Sequence, residues 1–564
     1  MTKQGERWGS RLGLILAMAG NAVGLGNFLR FPVQAINNGG GAFMIPYLVC
    51  FVVMGIPLLW IEWSMGRFGG KFGNHSTPFI MDKLDKRKMW KYFGVFGIFT
   101  NMAVAAYYCY IESWTMSYVI HSVTGTFDGK SMTWVADFYN KYLDIFTSTT
   151  GIPFEAVIFY VLCLALNTFI LSRGLKGVES VAKIGMPLLI LFGVFLAIRG
   201  LTLGTSGASP EFPNASAIDG LNYLWTPQYG ELSNPKVWLS AAGQIFFTLS
   251  VGMGTVQCYS AYLREKDDVA LNGISAGFTN EFVEVLLGGA IVIPIAAGYL
   301  GLDWVKENAG FGMAFQTMPF LFEKWGPILS ALAGVFWFGL LFFAGITSSL
   351  AMGTPWMGFL QDEFGVSRNK SAMSFGFITL LLGLPTVLLF TKTGTGSVNL
   401  IAFGEYDYWA GTVSLVVFAM VETILFAWIF GLNNAWAEIN KGSDIKIHPI
   451  FKFIIGYITP TMLILVFVGA LITPVGNDWI GAWQSLAGGN GWPLDNGSII
   501  SMITMNGLNE QIAAATDPEV LERLKTEKTF TFIARMLLAT LFAILSWLVY
   551  MAWKKRQRAA QAAN

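Results

Sequence analysis

A stretch inside the first long apolar segment decides the fold, and it reads Gly20-Asn21-Ala22-Val23-Gly24-Leu25-Gly26-Asn27-Phe28-Leu29-Arg30-Phe31-Pro32. Its clustered glycines, its two asparagines and the following proline disfavour a continuous helix. Backbone groups inside an apolar segment cannot stay unpaired, because each one costs several kcal/mol. The stretch therefore predicts either a broken helix beside a binding site or a close helix–helix contact through Gly20 and Gly24.

The composition places this segment in a membrane protein. Of 564 residues, 54% are hydrophobic and 13% are charged, whereas a soluble chain has about 25% charged residues. The same composition excludes disordered, fibrous and disulfide-rich secreted proteins. The net charge of +1 gives no global field for nucleic acid, so we predict no nucleic-acid partner.

Twelve apolar segments are long enough to cross a ~30 Å hydrocarbon core as helices. We number them segments 1 to 12, and they cover residues 11–36, 41–68, 92–124, 153–171, 177–199, 236–262, 270–300, 327–361, 370–391, 405–431, 449–473 and 530–553. The sequence thus predicts an all-α polytopic protein with about 12 transmembrane helices. Most of the Lys and Arg residues flank one side of these segments, and basic residues mark the cytoplasmic side. We expect a multi-pass protein of the cell (inner) membrane with both termini in the cytoplasm.

Segment 6 repeats the interruption of segment 1, since it contains Thr248-Leu249-Ser250-Val251-Gly252-Met253-Gly254-Thr255. Interruptions at matching positions of two halves indicate a binding site between inverted repeats, and they weaken the packing alternative. The predicted parts are a cytoplasmic N-terminus (1–10), segments 1–5 (11–199), an extracytoplasmic loop (200–235), segments 6–10 (236–431), segments 11 and 12 (449–553) with a long extracytoplasmic loop (474–529), and a cytoplasmic C-terminus (554–564).

Oxygen-bearing side chains lie in or near the apolar segments at Asn27, Thr248, Asn280, Thr347 and Ser348. Alkali cations prefer oxygen ligands, and the exposed N-terminus of a half-helix attracts a carboxylate. Ser and Thr in membrane helices also bond to their own backbone, and for each residue that alternative stays open. No catalytic or nucleotide-binding constellation is recognisable, so we predict that the protein is not an enzyme.

A charged residue inside an apolar segment costs free energy to bury, and such a residue usually has a function or a charged partner. Arg30 lies just outside the first interruption, and its candidate partner is Asp407 at the outer start of segment 10. For Glu62, Glu112 and Glu422 we favour a structural role.

Five stretches, Arg11–Asn27, Gly39–Phe43, Gly243–Ser250, Phe342–Ser349 and Asp407–Thr412, closely resemble the neurotransmitter:sodium symporter family, in particular its bacterial leucine-transporter type. The resemblance implies two inverted five-helix repeats (segments 1–5 and 6–10) with broken helices 1 and 6. It also implies sodium-coupled uptake by alternating access.

The resemblance further implies the residues of the site. The substrate would lie among Asn21, Ala22, Gly24, Leu25, Gly26, Val104, Tyr108, Phe247, Thr248, Ser250, Met253, Ser348 and Met352. Two sodium ions are implied, one bound by Ala22, Asn27, Thr248, Asn280 and the substrate carboxylate, and one bound by Gly20, Val23, Ala344, Thr347 and Ser348.

Gates are implied on both sides of this site. Tyr108 and Phe247 would form an aromatic lid, with Arg30 and Asp407 as the outer gate; Trp8, Asp362 and Tyr262 would belong to the inner gate. The family's inner gate uses an arginine at the position that Gly5 occupies here, so this assignment transfers least securely.

Four positions narrow the range of substrates and ions to expect. Gly24 stands where the monoamine carriers of the family have an aspartate, so an amino acid, which brings its own carboxylate, is the expected substrate. Glu284 stands where a carboxylate marks chloride-independent bacterial members, so we expect no chloride requirement. Met253 and Met352 are flexible, and they predict a broad range of hydrophobic side chains.

Two other functions remain alternatives, namely a substrate-sensing receptor on a transporter scaffold and a sodium-conducting channel. A receptor would bind substrate without accumulating it, and a channel would pass current without substrate. Membrane lipid is an expected partner, and a homodimer is a possible assembly.

Overall fold

The computed structural model describes residues 8–146, 154–310, 312–394 and 396–563, which are almost entirely helical. Within these ranges, ten helices are long and apolar enough to cross a membrane, and a pair bent by 45° at residues 23–25 can form an eleventh span. Segment 6 is divided into two helices, each too short to span alone. The structure confirms the predicted all-α polytopic membrane protein.

Most segments are single helices or contain a π-helical stretch. In chain order their helices are Arg11–Ala22, Gly26–Leu29 and Phe31–Asn37 (segment 1); Gly41–Cys50, Phe51–Gly55 and Ile56–Gly70 (2); Trp90–Phe93 and Val95–Val123 (3); Glu155–Ser172 (4); Leu175–Thr202 (5); Pro235–Thr248 and Thr255–Ser260 (6); Val269–Glu281, Phe282–Gly288 and Gly289–Leu300 (7); Pro327–Phe364 (8); Arg368–Leu388 (9); Ile401–Tyr408, Trp409–Val413, Ser414–Thr423 and Ile424–Ile429 (10); Ile450–Phe453, Ile454–Ile458 and Thr459–Leu471 (11); and Pro518–Ala563 (12).

Shorter elements connect the segments. The helices are Thr77–Leu84, Met132–Leu143, Ala217–Trp225, Tyr229–Ser233, Leu302–Glu307, Met313–Thr317, Met318–Glu323, Leu432–Asn440, Val475–Asn477, Trp479–Ala487, Ile499–Thr504 and Asn506–Ala514. Strands Phe390–Lys392 and Val398–Leu400 form an antiparallel hairpin between segments 9 and 10, with Thr391 opposite Asn399.

Segments 3 and 7 lie at the centre of the bundle, and segment 12 lies at its edge. In segments 3 and 7, 94% of the most apolar stretch is buried by protein, whereas in segment 12 only 28% is buried. Segment 8 packs along segments 3 and 5, and segment 1 packs against segments 5, 7 and 8. The interrupted segment 1 is therefore surrounded by helices of both predicted repeats.

The helix of segment 12 extends beyond the apolar stretch that defines the segment. The helix begins at Pro518 rather than at residue 530, because residues 518–529 are polar but include good helix formers such as Glu, Leu and Lys. Hydropathy marks where a chain can enter the membrane, and a helix can extend beyond that boundary. The long loop 474–529 is accordingly made largely of helices.

Candidate substrate and ion site between two broken helices

Segment 1 is interrupted where the sequence predicted. Helix Arg11–Ala22 ends at Val23, whose backbone is extended (φ −71°, ψ 96°), and a new helical turn covers Gly26–Leu29. The Asn27 side chain reaches back, and its Oδ1 accepts the N–H of Gly24 at 2.8 Å. A side chain of the site thus pairs a backbone group that the break leaves outside a helix.

Segment 6 is interrupted over residues 249–254. Ser250, Gly252 and Gly254 have left-handed φ angles of 52°, 74° and 80°. A left-handed φ suits glycine, so two of the three positions carry the residue that adopts it without strain. The Ser250 hydroxyl donates to the Asn21 carbonyl at 2.8 Å and ties the two breaks together.

Buried side chains from two other segments satisfy the backbone of this second break. Glu62 of segment 2 accepts the Gly252 N–H at 2.6 Å, and Asn101 of segment 3 donates to the Met253 carbonyl at 2.6 Å. The Glu62 carboxylate therefore has a structural role, because it pairs a backbone N–H group that the break of segment 6 leaves outside a helix. The sequence analysis did not select Asn101, although an amide side chain inside an apolar segment was a usable signal.

Between the two breaks lies a small cavity, in which the centres of water-sized spheres can occupy about 20 Å³. Its walls are Ala22, Gly24, Gly26, Asn27, Val104, Tyr108, Phe247, Thr248, Ser250, Met253, Ser348 and Met352. The structure thus brings together the predicted substrate residues apart from Asn21 and Leu25. Both of these remain beside the cavity, because Leu25 N–H donates to the Tyr108 hydroxyl at 2.9 Å and the Asn21 carbonyl accepts from Ser250.

Close approach explains two of the glycines in segment 1. A Cβ on Gly24 would lie 2.7 Å from the Tyr108 hydroxyl, and a Cβ on Gly26 would lie 2.6 Å from the Phe247 ring. Both distances are shorter than side chains tolerate, so the cavity wall at these positions consists of bare backbone.

The predicted side-chain ligands of the first sodium site form one hydrogen-bonded chain. Asn27 donates to Asn280 Oδ1 at 2.8 Å, Asn280 donates to the Thr248 hydroxyl at 2.9 Å, and that hydroxyl donates to Glu284. All four side chains are buried. Amide and hydroxyl oxygens next to one carboxylate form a donor set that suits an alkali cation.

The predicted ligands of the second sodium site lie where segments 1 and 8 touch. The Ser348 hydroxyl is within 3.3 Å of the Gly20 carbonyl and 3.2 Å of the Ala344 carbonyl. The Thr347 hydroxyl bonds to its own helix, 3.3 Å from the Ala344 carbonyl, and its side chain packs on Gly20. Val23 lies at the nearby end of helix Arg11–Ala22.

Glu284 is held by three donors at the edge of the first ion cluster. Tyr47 donates to its carboxylate at 3.0 Å, Gln244 donates at 2.8 Å, and Thr248 is the third donor. The carboxylate is fully buried. Glu284 thus places a fixed acidic group one hydrogen bond away from a predicted sodium ligand.

The four residues predicted for the aromatic lid and the outer gate make different contacts. The Arg30 guanidinium lies over the Phe247 ring, 4.5 Å from its centroid. Asp407 accepts a hydrogen bond from the Tyr107 hydroxyl at 2.7 Å. Arg30 and Asp407 thus have other partners here, and their action as a pair stays a prediction. Tyr107 is not among the predicted gate residues.

Asp362, which is predicted for the inner gate, contacts His75, a residue outside the predicted gate. The carboxylate accepts the His75 backbone N–H at 2.7 Å and lies 3.1 Å from His75 Nδ1. The His75 ring stacks on Tyr262 with centroids 4.3 Å apart. Trp8 instead donates to the Tyr259 carbonyl at 3.2 Å, and Gly5 lies outside the described residues.

Known proteins resemble this chain in sequence and in fold. The model of the family described as "Sodium:neurotransmitter symporter family" matches residues 5–141 and 126–506. The chain belongs to this family. It is therefore a sodium-dependent transporter with many membrane-crossing helices, and the resemblance stated from the sequence is confirmed.

Individual family members support the same assignment. An uncharacterized sodium-dependent transporter of Methanocaldococcus jannaschii is 31% identical over 467 residues, which cover 81% of this chain and 89% of the relative. The sodium-dependent nutrient amino acid transporter 1 of Drosophila erecta is 25% identical and covers 84% of this chain, which spans 78% of the relative. The crystal structure of MhsT in complex with L-phenylalanine superposes with a TM-score of 0.70 at 28% identity, covering 82% of this chain and 99% of MhsT.

Proposed function

We propose that this family member couples the inward sodium gradient to the uptake of hydrophobic amino acids by alternating access. The proposal rests on the contact between a cluster of side-chain oxygen atoms and a cavity lined partly by bare backbone. The oxygen cluster of Asn27, Thr248 and Asn280 adjoins a cavity whose walls include bare backbone at Gly24 and Gly26. A cation and a carboxylate can therefore meet at one point.

The substrate carboxylate supplies the negative charge that the ion cluster needs beside its neutral oxygens. Position 24 has no side chain to supply it, and the Tyr108 hydroxyl and the backbone of the first break surround this end of the cavity. Binding of the ion and of the amino acid is then mutually favourable, and linkage requires that each raises the affinity of the other equally. We further propose two sodium ions, the second beside Thr347 and Ser348.

The other end of the cavity selects the side chain. Val104, Phe247, Met253 and Met352 form its apolar walls. Methionine adapts to irregular shapes, which favours a range of hydrophobic amino acids. The amino-acid transporters among the relatives and the phenylalanine in the MhsT complex support this substrate class.

Glu284 makes chloride unnecessary in this proposal. A fixed carboxylate beside the first ion cluster takes the place of a bound anion, since both would balance the same cation. Further parts of the proposal are location in the cell membrane, cytoplasmic termini and optional assembly into a homodimer.

The test uses purified protein in two formats. Thermal unfolding is measured with each standard amino acid in sodium chloride and in potassium chloride, where a ligand at 100 times its Kd stabilises by ~2.7 kcal/mol. Uptake into proteoliposomes is then measured with an inward sodium gradient. We expect stabilisation only with sodium and hydrophobic amino acids, and sodium-driven accumulation of the same compounds.

Three results would contradict this function. Binding without accumulation in sealed, oriented proteoliposomes would identify a receptor. Sodium current without any substrate would identify a channel. Saturable binding confined to glycine or alanine would refute the proposed side-chain class.

A further inference from the structure

The loop between segments 11 and 12 contains a helix whose apolar side chains point outward. In Trp479–Ala487 the exposed fractions are 74% for Ile480, 62% for Trp483 and 46% for Leu486, whereas Ala482 is buried. Residues three apart lie on one face of a helix. This helix therefore packs its small residue inward and presents its large apolar residues to the surroundings.

The stretch from Trp479 to Leu494 contains no charged residue, although Asp478 and Asp495 flank it directly. An exposed apolar face without charges is unusual on a surface that meets water, and it marks a contact with another apolar phase. Asp478 and Asp495 lie where a segment that enters and leaves an apolar phase would meet water.

The helix lies beside exposed apolar residues of segment 11. Trp479 lines one apolar recess together with Leu465 and Val468, and the exposed fractions of these two residues are 64% and 43%. Trp492 fixes the helix to this segment, since its indole N–H donates to the Ile472 carbonyl at 2.8 Å and its ring lies 5.3 Å from that of Trp483.

We propose that the helix Trp479–Ala487 lies in the plane of the lipid bilayer, at the boundary between headgroups and acyl chains on the side of loop 474–529. The outward face of the helix contacts bilayer lipid, because tryptophan is enriched at this boundary and apolar helix faces bury themselves there. A second copy of the chain fits less well, since a stable protein contact needs about 800 Å² from each partner and this helix has nine residues.

Spin labels test the proposal. Single variants Ile480→Cys, Trp483→Cys and Leu486→Cys are labelled, and the four native cysteines can stay because all are buried. Matched controls are Glu510→Cys and Ala513→Cys on the exposed side of helix Asn506–Ala514 in the same loop. Each protein is placed as a single copy in a lipid nanodisc.

We expect the labels at 480, 483 and 486 to collide frequently with oxygen and rarely with a water-soluble nickel chelate. The ratio of the oxygen collision rate to the nickel collision rate should be severalfold higher at these three positions than at the two control positions. Nickel accessibility equal to that of the controls would overturn the proposal. Protection that arises only when two copies share a nanodisc would also overturn it, in favour of a contact between copies. Neither outcome depends on transport activity.

Discussion

Replacing Gly24 with alanine should disrupt the substrate site through one defined contact. The new Cβ would lie 2.7 Å from the Tyr108 hydroxyl and 3.0 Å from the Ser348 hydroxyl, whereas ordinary contact begins at 3.4 Å. Overpacking of this kind costs ~1–3 kcal/mol. If the strain opposes the substrate-bound form, sodium-dependent affinity falls roughly 5- to 150-fold.

A double-mutant cycle isolates the contact. Tyr108→Phe alone leaves the Leu25 N–H without its acceptor, which costs ~1–3 kcal/mol. In the variant that combines Tyr108→Phe with Gly24→Ala, the hydroxyl nearest to the new methyl group is gone. The two losses should therefore not add, and the coupling should favour the double variant by ~0.5–3 kcal/mol, a factor of about 2 to 150 in affinity.

Equilibrium binding of a radiolabelled amino acid to purified protein in sodium chloride measures the cycle. Gly243→Ala in segment 6 is the matched control, because its Cβ meets nothing within 4 Å and alanine favours the helix. Additive losses would refute the reasoning, since the Tyr108 hydroxyl would then not be the obstacle. Equal weakening by the control would show that the effect does not depend on the cavity.

Other substitutions test separate parts of the site. Glu284→Gln should make uptake depend on chloride, whereas uptake by the unmodified protein should continue in gluconate; chloride dependence of the unmodified protein would contradict the role of this carboxylate. Thr347→Val combined with Ser348→Ala should abolish sodium-dependent binding. The unfolding temperature in the absence of substrate should stay close to that of the parent protein. Unchanged sodium dependence would disprove the second ion site. Asn101→Leu should lower the free energy of unfolding by ~1–3 kcal/mol because it leaves a buried carbonyl in the break of segment 6 without its donor. Thr100→Val is its control, since the buried Thr100 hydroxyl makes no hydrogen bond among the described residues and its loss should be nearly neutral in chemical denaturation.

The sequence predicted where segments 1 and 6 are interrupted, because both breaks arise from local backbone irregularity. Glycines and a proline at Gly20–Pro32 cannot support a continuous helix, and any chain with this pattern must pair the freed backbone groups. The predicted oxygen donors Asn27, Thr248 and Asn280 indeed lie together. Residue type and local order indicated the breaks, whereas the family resemblance implied that these three distant side chains lie together.

The hydrogen-bond partners of the gate residues could not be predicted from residue type and local order. Asp407 bonds to Tyr107, which is 300 positions earlier in the chain, and Asp362 bonds to His75, which is 287 positions earlier. Such pairs depend on how whole segments pack, and nothing in the spacing of residues encodes them. A charge inside an apolar segment predicts that a partner exists, but it does not say which side chain comes close enough.

The sequence alone determined the class of the protein, the number of apolar segments and the location of the two breaks, because these depend on local hydropathy and on the conformational limits of Gly and Pro. Tertiary structure alone decided that Asn101 and Glu62 pair the second break, and that the large side chains of Trp479–Ala487 face outward. The physical reason is that burial and hydrogen bonding are properties of surfaces brought together by packing. A helix has an inner face only after its neighbours are in place.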